Sequence, residues 1–471
     1  MSTLIWKDLR HHASEWLWSL LVATVGGTIV GVVITSWWSA VQWSLAHPDG
    51  PYMLASNILG SNMVGYIGIS TAIVISTTLG LTVTAQQRSY SLWKVLGIPG
   101  RRIRSVILWQ VCAVGLVGGL LGGLLALPTA RVYLLTWREF NLFPDDLPLS
   151  MPLFGIPATM LVTALFSVLG GLGAARRAAN VPEMQALREA TSPRSRTKLW
   201  QWIAAGFFLI PVVLMPILIN LPPEALHSDY TPEMPDVPTE AATTDFESPG
   251  DRAVLGGGIG LMVALAALFI PNWTVRPLLI GWTSLIPGRS PAWFAARANA
   301  RHRSAFSLTT IVPFAIAVAM TGVFHTVANA GRAAGGMHGG VNGFLTIMVP
   351  IFFVAGAGGI ANIAMVGRTR RQEGALLGVL GARSGTILGS TILEGAIYAI
   401  TGILFGLAVT LLSAASAALM SGGGMEVFIG SIPVTTLLPA IGASLVLAIT
   451  TTWLPAQLDR RPMMESLRQP V

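Results

Sequence analysis

Glu394 is the one charged side chain inside an apolar run of this 471-residue chain. A carboxyl group there is the type of residue that could pass a proton across a membrane, because ionisable groups are costly in hydrocarbon and persist there mainly for function. It sits about a turn inside the end of its run, and the residue that corresponds to it by internal repetition is the neutral Gln110. A snorkelling or hydrogen-bonded structural role is therefore expected over a relay. Other chemistries lack their residues. A phosphate-binding loop needs Gly-Lys-Ser/Thr, yet the lysines follow Trp6, Trp93 and Thr197, so the chain itself carries no ATPase. His11, His12, His47, His227, His302, His325 and His338 are scattered, with no HExxH and no paired Cys, which leaves metal and nucleophilic catalysis without a site. The single Cys112 falls in an apolar run and reads as a buried, inert thiol. No cofactor is expected in this chain.

What remains are two short basic segments. In the first, Leu92, Val95 and Leu96 place an apolar stripe at helical spacing opposite Arg88 and Lys94, and Gly97 with Pro99-Gly100 ends it. In the second, Leu376, Leu377, Val379 and Leu380 repeat the stripe and Gly381 ends it. An amphipathic segment can simply lie at a headgroup surface. That explains one such segment, but not two copies with the same length and the same Leu-Gly stop.

The elements that must hold these segments follow from composition. Hydrophobic residues make up 53% of the chain and charged residues 11%, so the bilayer is the default solvent, and runs that cross it must be helices. Ten runs approach the length needed to span hydrocarbon, near 17–37, 62–85, 106–128, 153–174, 201–220, 254–271, 305–326, 343–366, 388–412 and 433–454. The first is read as a retained span, because no small-residue cleavage site follows it. With both termini cytoplasmic, all but four of the 29 basic residues lie inside, the exceptions being Arg131, Arg138, Arg252 and Arg332. Seven acids cluster outside between Glu224 and Glu247. This split supports the N-in, C-in orientation. The net charge of +8 is accounted for by that rule and by contact with anionic membrane lipid, with no nucleic-acid partner required.

The chain also matches itself. Residues 88–97 align with 372–381 at an offset of 284, and the same offset carries Gly118 and Gly122 onto Gly402 and Gly406, and Gln110 onto Glu394. Trp6 and Arg10 correspond to Trp293 and Arg297, and Pro182, Leu187 and Arg188 to Pro462, Leu467 and Arg468. This divides the chain into a four-span repeat (1–195), a two-span insert with an acidic, Pro-rich outer loop (196–285) and a second four-span repeat (286–471). The glycine pairs permit close backbone approach between helices and are expected where the two repeats pack against each other.

The run Gln86 to Gly123, the run Arg370 to Gly406 and the tail Ala174 to Arg188 resemble the FtsX-like (MacB-type) permease family: a charged inner helix ending in Leu-Gly, a Gly-rich span, then basic residues and a Pro-x-x-x-Leu-Arg element. The resemblance implies an all-α permease of a mechanotransmission-type ABC transporter in the bacterial inner membrane. Its inner helices would dock on a cytoplasmic ABC ATPase, present in two copies, which binds the ATP and Mg. Carried over by position, the docking residues are Arg88, Leu92, Lys94, Leu96 and Arg101 in the first copy and Gln372, Glu373, Leu376, Leu380 and Arg383 in the second. Glu373 fills the acidic place usual in the family, whereas the first copy has Ser89, which implies unequal contacts.

The outer segments near 38–61 and 327–342 are too short to bury a core, unlike the large outer domains of relatives that reach across the periplasm. A substrate taken from the bilayer is favoured: a lipid, an amphiphilic peptide or a hydrophobic drug, extruded outward. The alternative is a signalling device that moves no solute and relays ATPase motion to an outer enzyme or a sensor kinase. An ion-coupled carrier is weakened by the scarcity of charged residues in the spans.

Overall fold

The computed structural model describes residues 13–47, 71–83, 86–138, 149–180, 199–219, 248–288, 290–302, 304–335, 353–365 and 378–458. Helices dominate, and no strand occurs among the described residues. The first repeat contains α1 (Ala13–Ala46), α2 (Thr71–Val83), α3 (Gln87–Val95), α4 (Gly100–Arg138) and α5 (Gly155–Asn180). The insert contributes α6 (Leu199–Ile219), α7 (Pro249–Phe269) and α8 (Pro271–Leu285). The second repeat holds α9 (Pro291–His302), α10 (Ser304–Ala333), α11 (Phe353–Met365), α12 (Ser384–Ser421), α13 (Gly424–Ser431) and α14 (Val434–Leu458). Among the described residues, seven helical stretches are long and apolar enough to cross a membrane, and the runs expected near 62–85, 201–220 and 343–366 carry shorter apolar helices. The chain is a multi-pass, all-α membrane protein.

Helices α4 and α12 have 39 and 38 residues, about 57 Å at 1.5 Å per residue. That is almost twice the hydrocarbon thickness, so their ends project beyond it.

The repeats share one packing scheme in the same register. In the first, α4 lies along α1: a Cβ on Gly118 would come within 2.9 Å of the Ala23 carbonyl carbon, and one on Gly122 would run into the Gly27 backbone. Gly31 faces Ala126 one turn further on. In the second, α12 lies along α10, with Gly402 against Phe314 and Ala315, Gly406 against Val318 and Ala319, and Thr410 against Gly322. The third rung also obeys the offset of 284, since Ala126 corresponds to Thr410. These glycines were expected between the repeats. They lie within each one instead, because four-residue spacing brings them to one helix face that the preceding span of the same repeat covers.

The repeats meet elsewhere, through α2 and α11. Val74 packs on Gly358, and Thr82 Oγ1 lies 3.1 Å from Met365 Sδ. Both helices advance together along this contact, so they run parallel. Residues 74 and 358 are also equivalent positions, 284 apart. A contact between equivalent residues on parallel helices is the signature of a twofold axis between them. The two repeats are thus related by a pseudo-twofold axis running along α2 and α11.

The insert breaks this symmetry. Its α7 packs on α6 within the insert and on the second repeat, where Gly256 and Gly260 abut Ala417 and Ser413 of α12 and Gly257 abuts Val327 of α10. Ser413 Oγ donates to Gly257 O at 2.7 Å, and Ser416 Oγ to Gly256 O at 2.7 Å. The basic stretch after α7, read as part of an inner loop, is instead two helices, α8 and α9, each with Pro at its first position. Arg301 ties them together, donating to Ile280 O at 2.9 Å and Thr283 Oγ1 at 3.0 Å, while Arg297 reaches Ile286 O at 3.3 Å. These guanidinium groups satisfy carbonyls at the C-terminal end of α8 and oppose its negative dipole end. Burial, together with the neighbouring Arg297, lowers the Arg301 pKa from its ordinary value.

Candidate functional site

The two segments sit immediately before α4 and α12; Arg101, Arg102 and Arg104 fall in the first turns of α4, and Arg383 directly precedes α12. In the first, α3 closes with Leu96 N–H donating to Leu92 O at 3.0 Å and Gly97 N–H to Lys94 O at 2.8 Å. Gly97 then turns at φ +86°, and Ile98 N–H reaches back to Trp93 O at 3.0 Å. This conformation strains any residue with a Cβ by roughly 1–2 kcal/mol. Gly381 adopts φ +90° at the equivalent place, its N–H donating to Gly378 O at 3.0 Å. The repeated Leu-Gly stop is therefore one backbone device used twice.

The face of α3 that meets the protein is Tyr90, fully buried, and Trp93, half-buried, with their rings edge to face 5.5 Å apart. The leucine stripe faces away: Leu92 is 49% exposed, Val95 57% and Leu96 79%. In the second copy, Val379 is 66% and Leu380 82% exposed. Arg101 and Arg383 are also exposed, and Lys94 is half-buried. The side chain of Arg88 and all of Gln372, Glu373 and Leu376 lie outside the described residues. Each repeat thus presents a two-residue apolar knob, Val95-Leu96 or Val379-Leu380, on a glycine-hinged stop leading directly into its longest helix.

Buried polar residues tie the first segment down and brace the base of the helix after the second. Tyr90 Oη donates to Gln86 Oε1 at 2.6 Å and lies 3.4 Å from Gln110 Oε1 of α4, which anchors α3 to the helix it precedes. At the equivalent position of α12, Glu394 is 4% exposed and accepts from Tyr398 Oη at 2.5 Å. Ser307 Oγ of α10 lies 3.3 Å from the same phenol and donates to Ala300 O at 2.8 Å. Of the two structural roles expected for Glu394, the hydrogen-bonded one is observed. Because a glutamine fills the same place in the first repeat, Glu394→Gln is expected to leave thermal stability in detergent unchanged. Glu394→Leu strips the Tyr398 hydroxyl of this acceptor and is expected to cost about 1–3 kcal/mol. A proton relay would show itself as lost activity in the glutamine variant.

One of the scattered histidines is a buried ionisable group, a placement that the sequence reading did not find. His325 of α10 is fully buried, its Nδ1 lying 2.7 Å from Thr321 O. A carbonyl only accepts, so Nδ1 carries the proton, and Nε2 has no hydrogen-bond partner among the described residues. An apolar run containing a single His carries no signal for this. Among the described residues no group of three or more His, Cys, Asp or Glu stands close enough to hold a metal.

Comparison with known families adds one finding. The model for the FtsX-like permease C-terminal domain matches residues 61–182 and 345–460, together about half of the chain, once in each repeat. The two matched stretches begin 284 residues apart, at the offset that relates the glycine pairs and the paired turns. No curated protein matches the chain.

Proposed function

Because the chain belongs to the FtsX-like permease family, we propose that it is the transmembrane subunit of a mechanotransmission-type ABC transporter in the bacterial inner membrane. Permeases of this family generally work with a cytoplasmic ABC ATPase. In this reading two ATPase subunits bind ATP and Mg and grip the knobs at Leu96 and Leu380. Closure of the ATPase pair pushes on α3 and its counterpart, and the long helices α4 and α12 carry the displacement across the bilayer. Ten crossings, 4+2+4 with both termini inside, place both knobs in the cytosol. One chain then supplies both halves of the transmembrane unit.

The observation that carries the reading is the paired knob: apolar side chains exposed beside a left-handed glycine, at equivalent positions in both repeats and in direct continuity with the longest helices. Amphiphilic cargo taken from the bilayer fits the exposed apolar flanks of α4, α5 and α6, where Leu124, Leu161, Phe207 and Val213 are exposed. Vesicles holding the chain and its ATPase are expected to move a fluorescent amphiphile only with ATP. ATPase coupling without any movement of amphiphile would favour the signalling alternative, and movement with no ATPase present would favour an ion-coupled carrier.

A further inference from the structure

The axis between the repeats carries a second pair of equivalent residues, Thr78 of α2 and Asn362 of α11, again 284 apart. Both are fully buried. Thr78 lies one turn from Val74 and one turn from Thr82, and Asn362 one turn from Gly358 and Met365, so both sit on the contact stripe between the two inter-repeat contacts. Asn362 Nδ2 donates to Thr309 O at 2.9 Å. Among the described residues, neither Asn362 Oδ1 nor Thr78 Oγ1 has a hydrogen-bond partner.

Two features mark this pair. A buried threonine in a helix ordinarily turns its hydroxyl onto the carbonyl four residues back, as Thr82, Thr283 and Thr410 do here; Thr78, like Thr71, Thr163 and Thr326, does not, and of these Thr78 is the one whose equivalent residue is a buried amide across the axis. The two orphaned atoms are also complementary: a hydroxyl that can donate and an amide oxygen that can only accept. Leaving such groups unpaired in an apolar surrounding is costly, so each calls for an explanation, and an arrangement in which the two meet would supply one for both.

We propose that Thr78 and Asn362 form a latch across the pseudo-twofold axis, Thr78 Oγ1–H donating to Asn362 Oδ1, which closes when the repeats rock toward each other in the ATP-bound complex. The proposal rests on the permease reading above and adds to it the place where the motion is registered. Val74 against Gly358 serves as the pivot, because a glycine there lets the backbones approach and slide with no side chain to unlock. The latch rewards the closed arrangement with a bond that the present one lacks, which biases a two-state element.

The test uses the full chain with its ATPase in nanodiscs, in a Cys112→Ser background carrying Thr78→Cys and Asn362→Cys. Oxidative cross-linking is expected to rise at least about fivefold between the nucleotide-free and ATP-trapped complexes, the fraction closed being what the ligand shifts. Ser76→Cys with Asn362→Cys is the control, since Ser76 faces Gly170 of α5. A yield that is unchanged or lowered by ATP, or no greater than the control, overturns the latch. Thr78→Val and Asn362→Leu should each depress ATP-dependent coupling, with the double variant no worse than either alone; additive losses would overturn it as well. Co-purification of the ATPase with the wild-type chain judges the permease reading separately. If that fails, a yield for the chain alone no greater than the Ser76 control overturns the latch by itself, because the pair then does not face across the axis.

Discussion

Gly122→Leu is expected to abolish recovery of folded protein. At this rung both helices present glycine, Gly27 on α1 and Gly122 on α4, and a Cβ at residue 122 would collide with the carbonyl carbon of Gly27 and the nitrogen of Thr28. Overpacking against side chains costs about 1–3 kcal/mol because rotamers can shift. Here the obstacles are backbone atoms of a helix that is itself held by Ala23 on Gly118 and Ala126 on Gly31. No rotamer change relieves them, so α1 and α4 must separate and surrender the contacts along three turns. Monodisperse protein after detergent extraction should fall at least about tenfold, beyond what an ordinary core substitution produces. Gly173→Leu is the matched control: it also lies in a span, α5, but nothing stands within 4 Å of its Cβ position. Equal recovery of the two variants would show that the α1–α4 rungs do not govern assembly.

That expectation separates what the residues announced from what they withheld. The helical class and the positions of the seven long apolar helices were legible because lipid offers no polar partner to a backbone, so hydropathy alone marks the runs. The repeat was legible because it rests on glycines whose roles admit little substitution: Gly97 and Gly381 need positive φ, and Gly118, Gly122, Gly402 and Gly406 need absent side chains. Which helix those glycines face was not legible. A small-residue stripe shows that a backbone comes close, not whose, and the wrong partner was inferred for the same reason that the attachment of α7 to the second repeat went unseen behind Gly256, Gly257 and Gly260. The orientation of α3 was hidden too. Near the bilayer edge, hydropathy does not distinguish a leucine turned to the protein from one turned outward, and Tyr90 and Trp93 supplied the buried face instead. Likewise Thr78, Asn362 and His325 are polar residues within apolar helices, unremarkable until burial and missing partners are known.

Replacing Leu96 and Leu380 together by aspartate is expected to reduce ATPase binding by about 100-fold or more. Each leucine is among the most exposed large apolar side chains of the chain, 79% and 82%, and each stands beside a left-handed glycine that fixes its direction. A central apolar anchor of an interface is typically worth about 1–2 kcal/mol or more when removed, about tenfold per site at 1.4 kcal/mol. The knobs belong to separate repeats, so their losses should add. Exposure makes the test clean: a carboxylate at either site meets solvent, so the fold and thermal stability should remain. Leu380→Asp alone should weaken binding more than Leu96→Asp, because the second copy carries Glu373 where the first carries Ser89, a charge able to pair with a basic groove on the partner. Gly97→Val and Gly381→Val should weaken binding through geometry, since roughly 1–2 kcal/mol of backbone strain would tilt each knob out of line. The measurement is retention of the ATPase on the purified chain, with ATP hydrolysis read on the same sample. If the double aspartate variant retains it fully while the fold survives, the knobs are not levers, and force must enter α4 and α12 by another surface.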